Sequence, residues 1–459
     1  MGRITIIGAG KSASALISYL LGRASDREFE IRVLDQDIDA AQSQVEGTEQ
    51  GSAASFDAED EASLAREVAA STLVVSMLPA LFHPMVAREC IRQGKHLITP
   101  SYLSQEVRDM DREAIDAGVL IMNEMGVDPG IDHMSAMQGL DRIREQGYRI
   151  RCLESFTGGL VAPDSDDNPW GYKFTWSPRN VVLAGQGGAV KFLQEGRYKY
   201  IPSYRIFKRA EMIDIEGYGR FEGYANRDSL RYRSVYGLEE VPTIFRGTLR
   251  RPGFCKAWDV FVQLGATDDS YVIEGSEEMS KRQFINAFLT YDPHDSVELK
   301  LMHYLGIDRD SEVMEKLYWL GIFEEEPIGL KDATPAQILQ RILEDKWALG
   351  PNDRDMIVMF HKFGYCGSDG TEHELRSSMV HLGKDPSRTA MAECVGLPIG
   401  IMARMIMDGE VEERGVHLPI LPSVYAPLLQ ELEAYGIRFQ EEEVEPSLPG
   451  TFQNARSFS

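Results

Sequence analysis

The sequence predicts an α/β fold with an N-terminal doubly wound parallel sheet, a second mixed α/β domain, and a helical insertion. Short β-branched runs alternate with helical patterns over residues 3–123, which is the order of repeated βαβ units. Strand-like segments rich in aromatic residues follow at 148–160 and 171–183. Residues 276–347 lack β-branched runs and have helical periodicity, so we interpret them as an insertion. The predicted ranges are 1–125, completed by 390–440, for the first domain, 126–275 with 350–389 for the second, and 276–349 for the insertion.

The individual elements follow from the apolar pattern. A strand at 3–7, a glycine turn with a helix, and a second strand at 29–34 form the first βαβ unit. Further strands are predicted at 72–78, 95–99 and 118–123, with helices at 82–93 and 104–117 between them. Farther along the chain, we expect a turn-rich loop at 163–170, strands at 355–362 and 371–380, a helix at 387–408 and a solvated acidic tail at 441–450.

The composition is strongly acidic. Of the 459 residues, 72 are acidic and 48 are basic, which gives a net charge of −24. Such a surface repels phosphate backbones and anionic lipid, so we expect no nucleic-acid partner and no membrane role. No stretch approaches 18 uncharged apolar residues, and no signal-peptide pattern is present. The five cysteines have no CxxC spacing, which favours free thiols in a reducing compartment, so we expect a cytoplasmic protein.

A glycine-rich turn directly follows the first predicted strand. It has the form G-x-G-x-x-A and consists of Gly8, Ala9, Gly10, Lys11, Ser12 and Ala13. The first glycine permits a tight turn, the second lets the backbone approach a pyrophosphate, and the small last residue lets helix and strand pack closely. Because the turn lies between a strand and a helix, it predicts a Rossmann dinucleotide site formed by Gly8, Ala9, Gly10, Lys11 and Ser12. A P-loop would need a glycine at position 5, which is threonine.

The second predicted strand ends at Asp35. An acid at this place in a Rossmann domain hydrogen-bonds the adenosine ribose hydroxyls, and its charge repels a 2′-phosphate. The sequence therefore predicts NAD in preference to NADP, with NADP as the alternative cofactor. A second interpretation of Asp35 is that it only caps the next helix.

A series of long motifs extends from residue 78 to residue 398. It comprises Leu78-Pro79 with Phe82-His83-Pro84, Ser101-Tyr102, residues 123–134 (NEMGVDPGIDHM), Gly158-Gly159-Leu160, Asn168-Pro169, Tyr172-Lys173-Phe174, Trp176-Ser177, Asn226-Arg227-Asp228-Ser229, residues 246–250 (RGTLR), Pro252-Gly253, Arg354-Asp355-Met356 and Val395-Gly396-Leu397-Pro398. These motifs resemble the saccharopine reductase family, the saccharopine dehydrogenases that form L-glutamate.

The resemblance implies a fold, a reaction and a set of cofactor contacts. It implies a Rossmann domain, an α/β substrate and dimer domain and a helical insertion, assembled as a homodimer. The implied reaction converts saccharopine, NAD(P)+ and water to L-glutamate and 2-aminoadipate 6-semialdehyde. Beyond the glycine turn and Asp35, the implied cofactor contacts are Asp57, Ala58, Leu78, Ser101 and Val127.

Saccharopine carries three carboxylates, so its site requires basic side chains. By resemblance, Arg227 binds one substrate carboxylate, and Thr248, Leu249 and Arg250 close around the other end of the substrate. The alternative for Arg227 is a turn arginine paired with Asp228. We expect the neighbouring Arg246 and Arg251 to be solvated.

Two predicted strand ends carry candidate catalytic residues. Ser101 and Tyr102 follow the strand at 95–99, and Asp128 follows the strand at 118–123. In an open parallel sheet these ends face the ligand crevice. By resemblance, Ser101 and Tyr102 contact substrate or nicotinamide, and Asp128 orients the substrate amine or moves its proton. The alternatives are a half-buried aromatic residue for Tyr102 and a helix N-cap for Asp128.

His133, His83 and Thr157 are further residues near the predicted site. His133 follows Asp132, but no metal-ligand spacing is present and hydride transfer needs no metal, so we predict no metal site and a packing or hydrogen-bonding role for His133. We expect His83, before Pro84, to open a helix near the nicotinamide. Thr157 stands where relatives carry a cysteine, so a thiol role at that position does not transfer.

Two other functions remain open at this point. A related secondary-amine dehydrogenase, acting in carboxynorspermidine or homospermidine metabolism, would need an acidic pocket in place of Arg227 and Arg250. A non-catalytic, NAD-binding regulatory protein would bind the cofactor without turning over saccharopine. The joint presence of Tyr102, Asp128 and Arg227 argues against this second alternative.

Overall fold

The computed structural model describes residues 2–27 and 29–446. They form two compact units: unit 1 comprises the described residues of 2–148 with 379–440, and unit 2 comprises 149–378 with 441–446. Cys90, Cys152, Cys255, Cys366 and Cys394 are all free thiols.

The strands and helices are given first in chain order. The strands are β1 (Gly2–Ile7), β2 (Phe29–Asp35), β3 (Gly51–Ser55), β4 (Leu73–Ser76), β5 (His96–Ile98), β6 (Leu120–Met122), β7 (Arg149–Val161), β8 (Val190–Gln194), β9 (Arg197–Ile201), β10 (Glu211–Ile215), β11 (Gly219–Ala225), β12 (Thr243–Arg250), β13 (Asp355–Cys366), β14 (Glu372–Leu382), β15 (Gly415–His417) and β16 (Gln440–Val444). The helices are α1 (Ser14–Ala24), α2 (Ile38–Val45), α3 (Glu61–Ala69), α4 (His83–Gln93), α5 (Gln105–Arg108), α6 (Asp111–Asp116), α7 (Ile131–Glu145), α8 (Pro178–Val182), α9 (Phe254–Leu264), α10 (Lys281–Ala287), α11 (Val297–Leu305), α12 (Glu312–Leu320), α13 (Pro335–Trp347), α14 (Ala390–Met407) and α15 (Pro422–Glu433).

Unit 1 contains the predicted doubly wound sheet. Its strand order is β15-β6-β5-β4-β1-β2-β3, and every pair is parallel. The chain leaves β1 toward β2 and β3 on one side and returns to β4 on the other, so the switch point lies at β1 and β4. In such sheets ligands bind outside the carboxyl ends of the strands at this point.

Helix α14 packs closely against the start of α1. A Cβ added at Gly396 would lie 2.6 Å from the backbone nitrogen of Leu16, so this contact requires glycine. By length and apolar composition, α14 is the one helix among the described residues that would pass as a membrane span. However, 83% of its residues are buried, as in a core helix.

Unit 2 is built on a mixed sheet with the order β10-β11-β12-β7-β13-β14-β16. Strand β7 pairs in parallel with β12 and antiparallel with β13, and the β8–β9 hairpin joins β12. Its helical segment buries a cluster of aromatic rings in which Trp347 contacts Trp170 at 5.2 Å and Tyr172 at 5.0 Å between ring centroids. The indole nitrogen of Trp170 donates to the carbonyl of Lys316 on α12 at 2.9 Å. This bond joins the helical segment to the loop before Tyr172.

Several predicted elements differ from the structure. Residues 171–183 contain no strand; Ser177 accepts from the backbone of Asn180, and Pro178 starts the short helix α8. The helix predicted at 104–117 is two helices, α5 and α6. The acidic tail is not wholly solvated loop, because β16 pairs at the edge of the unit 2 sheet, while residues 447–450 lie outside the described residues. Unit 1 reaches Tyr148 because α7 packs on α15, whereas the predicted boundary was 125.

Candidate functional site

The glycine turn after β1 has the geometry of a dinucleotide cradle. Gly8 has φ 108, and a Cβ there would lie 3.2 Å from the carbonyl group of Met77, so this position requires glycine. A Cβ at Gly10 would meet no atom within 4 Å, which leaves that backbone open to a close ligand. A 3-10 turn at Lys11–Ala13 then leads into α1. The residues present therefore fit the phosphates of a dinucleotide.

Asp35 lies beside this turn at the end of β2. Its Oδ2 accepts from the Ala9 nitrogen at 2.6 Å, and its Oδ1 accepts from the Asp37 nitrogen at 2.9 Å. The N-cap of α2 is Asp37, which accepts from Asp39 and Ala40. Asp35 thus holds the glycine turn, and each of its carboxylate oxygens can accept a further hydrogen bond.

The other implied cofactor contacts also belong to unit 1. Asp57 is exposed after β3 and accepts from the Glu59 nitrogen at 3.0 Å, and Ala58 is buried next to it. Leu78 lies after β4, and Val127 is buried in the turn before α7. The structure places these residues after strands of the sheet, where the switch-point argument puts a ligand.

His83 joins the ends of β4 and β5. It is buried at the start of α4, where its Nδ1 contacts Oγ of Ser76 at 3.1 Å. Its Nε2 contacts Oγ of Ser101 at 2.7 Å and Oγ1 of Thr99 at 3.0 Å. Burial lowers the pKa of His83 to about 4, so the imidazole is neutral at physiological pH and orients the Ser101 hydroxyl without charge.

Tyr102 and Asp128, predicted from two different strand ends, lie next to each other. The Tyr102 hydroxyl donates to Oδ1 of Asp128 at 3.3 Å, and both residues are half-buried. Asp128 does not cap α7, because the N-cap position is Gly130, whose nitrogen donates to Asp132 at 2.7 Å. The pair is a phenol and a carboxylate in hydrogen-bond contact, an arrangement able to orient or deprotonate an amine.

Glu124 and His133 form a buried pair near these residues, in which His133 hydrogen-bonds as predicted, whereas Glu124 was not assigned a role. Oε2 of Glu124 contacts Nε2 of His133 at 2.7 Å, and both side chains are fully buried. Oε1 of Glu124 accepts from the Leu103 nitrogen at 2.9 Å. The only sequence signal for Glu124 was its position in the NEMGVDPGIDHM motif, which does not reveal that its side chain turns inward.

Unit 2 contains a buried arginine that has no carboxylate partner within the described part of the chain. Arg250 ends β12 and is 4% exposed, and its guanidinium lies 5.0 Å from the ring centroid of Tyr172 and 5.4 Å from that of Phe254. It donates to the carbonyl of Leu249 at 2.8 Å, while its Nε has no hydrogen-bond partner among the described residues. A buried cation without a counter-ion is costly, so this place is suited to bind an anion such as a carboxylate.

Thr248 and Leu249 are set by the neighbouring strands. Thr248 pairs with Tyr224 on β11 and with Thr157 on β7, and burial raises the pKa of Tyr224 to about 12. Leu249 is buried, and a Cβ at Gly158 would lie 2.8 Å from the Cβ of Leu249, which explains the glycine at position 158 of β7. Thr157 is buried beside Thr248, where a hydroxyl can hydrogen-bond but cannot ionise.

Arg227 lies in the turn after β11. It is exposed and has φ 51, a rare conformation for a side-chain-bearing residue, and its carbonyl accepts from the Lys191 nitrogen at 3.1 Å. The carboxylate of Asp228 accepts from the Leu230 nitrogen at 3.0 Å and lies 3.3 Å from Nζ of Lys191. The carboxylate of Asp228 therefore has a hydrogen-bond donor in the turn that follows it and an ion-pair partner on β8.

The expectation that Arg246 and Arg251 are solvated was wrong. Arg246 is 5% exposed, and its guanidinium lies 4.4 Å from the ring centroid of Tyr232. Arg251 is half-buried and donates to the carbonyl of Tyr218 at 3.1 Å. The sequence alone did not show that both faces of β12 are buried, which covers Arg246. Arg251 directly follows the end of that strand.

No group of three or more His, Cys, Asp or Glu side chains in the described ranges is arranged to hold a metal ion. In particular, His133 contacts Glu124 at 2.7 Å, while its Nδ1 lies 3.8 Å from Asp132.

Comparison with known proteins covers nearly the whole chain. Residues 4–122 match the saccharopine dehydrogenase NADP binding domain, and residues 126–437 match the saccharopine dehydrogenase C-terminal domain. The saccharopine dehydrogenase [NADP(+), L-glutamate-forming] of Pyricularia oryzae is 33% identical over 450 residues, covering 96% of this chain and 99% of that protein. The enzyme of the same name from Saccharomyces cerevisiae is 32% identical over 457 residues, covering 97% and 100%.

A longer relative and a solved structure agree with this. The mitochondrial alpha-aminoadipic semialdehyde synthase of Mus musculus is 30% identical over 445 residues, which cover 96% of this chain and 48% of that protein. The apo structure of saccharopine dehydrogenase (L-Glu forming) from Saccharomyces cerevisiae superposes with a TM-score of 0.87 at 29% identity, covering 97% of this chain and 100% of that one. With both family domains matched in order, the chain belongs to the saccharopine dehydrogenase family.

Proposed function

We propose that the chain is an L-glutamate-forming saccharopine dehydrogenase. It oxidises the secondary amine of saccharopine with NAD(P)+ and adds water, releasing L-glutamate, 2-aminoadipate 6-semialdehyde, the reduced cofactor and a proton. The observation that carries the proposal is Arg250, a buried guanidinium with no carboxylate partner among residues 2–27 and 29–446, in a chain of this family. A tricarboxylate substrate supplies the anion that this arginine lacks.

The residues of unit 2 bind the substrate carboxylates. Arg250 takes one carboxylate, with Thr248 and Leu249 shaping that end of the substrate. Arg227, which is exposed on its turn, takes another. An acidic pocket, as a polyamine-type substrate would need, is not what surrounds Arg250, whose neighbours are Tyr172, Tyr224 and Phe254.

The residues of unit 1 hold the cofactor and handle the amine proton. The cofactor, held by the glycine turn and Asp35, supplies the hydride acceptor when bound. Asp128, in contact with the Tyr102 hydroxyl, orients the secondary amine and accepts its proton. Ser101, oriented by neutral His83, contacts substrate or nicotinamide. A carboxylate is a weak base for an amine, so water shares the proton transfer.

We further propose that this chain prefers NAD, although the relatives named above carry NADP(+) in their names. Asp35, Asp37 and Asp39 place three acids within five residues at the end of β2, and no basic residue lies among residues 35–39. Both oxygens of Asp35 face backbone donors of the glycine turn and of the α2 entry, which holds its charge at the ribose position. A 2′-phosphate there would meet this charge at short range.

Mixing the protein with saccharopine and NAD, and separately with NADP, tests both proposals. We expect the reduced-nicotinamide absorbance to rise with either cofactor and the kcat/KM to be higher for NAD. Absence of turnover with saccharopine, but turnover of a carboxynorspermidine-type amine, would identify the related dehydrogenase. Cofactor binding without any turnover would identify a regulatory protein, and a higher kcat/KM for NADP would remove the role given to Asp35.

We propose a cytoplasmic homodimer for the protein in the cell. Five free cysteines support a reducing compartment. Exposed tyrosines at Tyr198 and Tyr200 on the edge strand β9 support a self-association surface. Light scattering on the purified chain tests the dimer, and fractionation of cells tests the compartment.

A further inference from the structure

Glu124 bonds to the backbone of the segment that carries Tyr102. The Glu124 nitrogen donates to the carbonyl of Ser101 at 3.2 Å, and Oε1 of Glu124 accepts from the Leu103 nitrogen at 2.9 Å. Glu124 therefore bonds to the residues on both sides of Tyr102. This leaves the Tyr102 side chain little freedom to move away from Asp128.

The same residue is tied to the turn that carries Asp128. Oε2 of Glu124 contacts Nε2 of His133 at 2.7 Å, and His133 lies in the first turn of α7. That turn is anchored in its own right, since the Asp132 nitrogen donates to the carbonyl of Val127 at 3.1 Å. Asp128 thus lies between Glu124 and His133, on a loop whose two ends are joined through this pair.

The backbone of Glu124 has an unfavourable conformation, which the surrounding structure stabilises. Its φ is 58, and it is the only non-glycine residue of unit 1 with a positive φ within the described residues. Such a conformation costs about 1 kcal/mol or more for a side-chain-bearing residue, and its side chain is fully buried as well. Strain of this kind persists where the surroundings over-determine it, often at active sites.

We propose that Glu124 and His133 are positioning residues that hold the Tyr102 hydroxyl on Asp128 for proton transfer. This inference rests on the proposed function. Neither residue needs to contact the substrate or the cofactor. Their contribution to rate comes from holding a phenol and a carboxylate, from two strand ends, at hydrogen-bond distance.

A double-mutant cycle between Glu124→Ala and Tyr102→Phe tests this role with saccharopine as substrate. We expect Glu124→Ala to lower kcat about 100-fold in the otherwise unchanged chain, with little change in the Kd of the reduced cofactor. In the Tyr102→Phe background, where the hydroxyl is already absent, the further loss should be about twofold. Glu124→Gln keeps an acceptor for the Leu103 nitrogen and should restore most of the lost turnover.

Glu393 provides a matched control in unit 1. Its carboxylate contacts Nε2 of His381 at 2.6 Å and Nζ of Lys384 at 2.9 Å, so it is another buried Glu–His pair with no contact to Tyr102. Glu393→Ala should lower Tm by an amount similar to Glu124→Ala. Its effect on kcat should be the same with and without the Tyr102 hydroxyl.

Each outcome decides the matter. Equal losses from Glu124→Ala in both backgrounds, or full turnover by Tyr102→Phe, would overturn the positioning role while wild-type activity upholds the proposed function. A wild-type chain without saccharopine turnover would overturn the proposed function and the inference together. If Glu124→Ala does not fold, as judged by circular dichroism, His133→Gln takes its place in the same cycle with the same expected coupling.

Discussion

The two units differ in whether their buried polar groups have partners. In unit 1 the polar side chains at the carboxyl edge of the sheet satisfy one another, as in the Tyr102–Asp128 and Glu124–His133 contacts. In unit 2 Arg250 is buried among aromatic rings with no carboxylate partner among the described residues. The first arrangement fixes geometry before any ligand arrives. The second leaves a buried charge suited to an anionic ligand. Under the proposed function, the first region therefore contributes orientation and the second contributes affinity.

The largest expected effect comes from removing the uncompensated charge. Arg250→Met keeps most of the buried volume and should lower kcat/KM for saccharopine about 1,000-fold, because a carboxylate loses its charged partner. The same change should keep or raise Tm, because an apolar side chain replaces a buried cation without a counter-ion. Steady-state kinetics and thermal melts measure the two effects on one protein sample.

Arg251→Met is the control for that experiment. Arg251 donates to the carbonyl of Tyr218 and lies 3.8 Å from Asp166, so it has partners that Arg250 lacks. Its replacement should lower Tm and leave KM within a few-fold. If Arg250→Met lowered Tm as much as Arg251→Met, Arg250 would have stabilising partners in the folded protein. The contrast between the two arginines would then be wrong.

Asp128 is expected to show the next largest effect. Asp128→Asn preserves the shape and one acceptor for the Tyr102 hydroxyl but removes the base, so kcat should fall about 100-fold. Asp141→Asn on α7, which replaces a carboxylate that accepts from Tyr425 at 2.8 Å, should change Tm and leave kcat unaltered. Near-full turnover by Asp128→Asn across the pH range would mean that water alone moves the proton.

The cofactor preference should respond more modestly. Asp35→Asn keeps an acceptor for the Ala9 nitrogen but removes the charge. The ratio of kcat/KM for NADP to that for NAD should therefore rise about tenfold, equivalent to about 1.4 kcal/mol of repulsion removed. Asp39→Asn, an exposed acid on α2, should shift the ratio less. An unchanged ratio in Asp35→Asn would show that specificity is set elsewhere.

These contrasts explain what could be predicted from the sequence. The glycine turn and Asp35 could be predicted because phosphate turns and strand ends have local sequence signatures. Tyr102 and Asp128 were predicted from strand ends together with the family resemblance. The inward orientation of Glu124 and the covered position of Arg246 could not be predicted. Both depend on which face of a loop or strand is buried, and that is decided by packing between segments far apart in the chain. The segment at 171–183 was misassigned because aromatic residues suit strands, while a single Ser-Pro step started a helix there.

Not every buried polar group with an open hydrogen-bonding position signals function. Glu154 of unit 2, whose carboxylate lies 3.8 Å from Nζ of Lys362, tests that distinction. It lines a cleft near the start of β7, and its Oε2 has no hydrogen-bond partner in the part of the chain that the structure describes. Burial, with the nearby Glu211 and Glu374, raises the pKa of Glu154 to about 8 against the opposing effect of Lys362. Burial also raises the pKa of Glu211 to about 7.

The pH dependence follows from these shifts and gives the smallest predicted effect. Because both carboxyls bind protons more tightly in the folded chain, the free energy of unfolding falls as pH rises from about 4.5 to about 8. Glu154→Gln removes its share of that fall, so near pH 8 the variant should be more stable than the wild type by about 1 kcal/mol. Its kcat and KM should be unchanged, since Glu154 pairs with Phe245 near the start of β12, whereas Arg250 lies at the end of that strand. If the Tm of the two proteins changed with pH in parallel, Glu154 would not bind its proton more tightly in the folded chain. A raised KM in the variant would mean that Glu154 contributes to substrate binding.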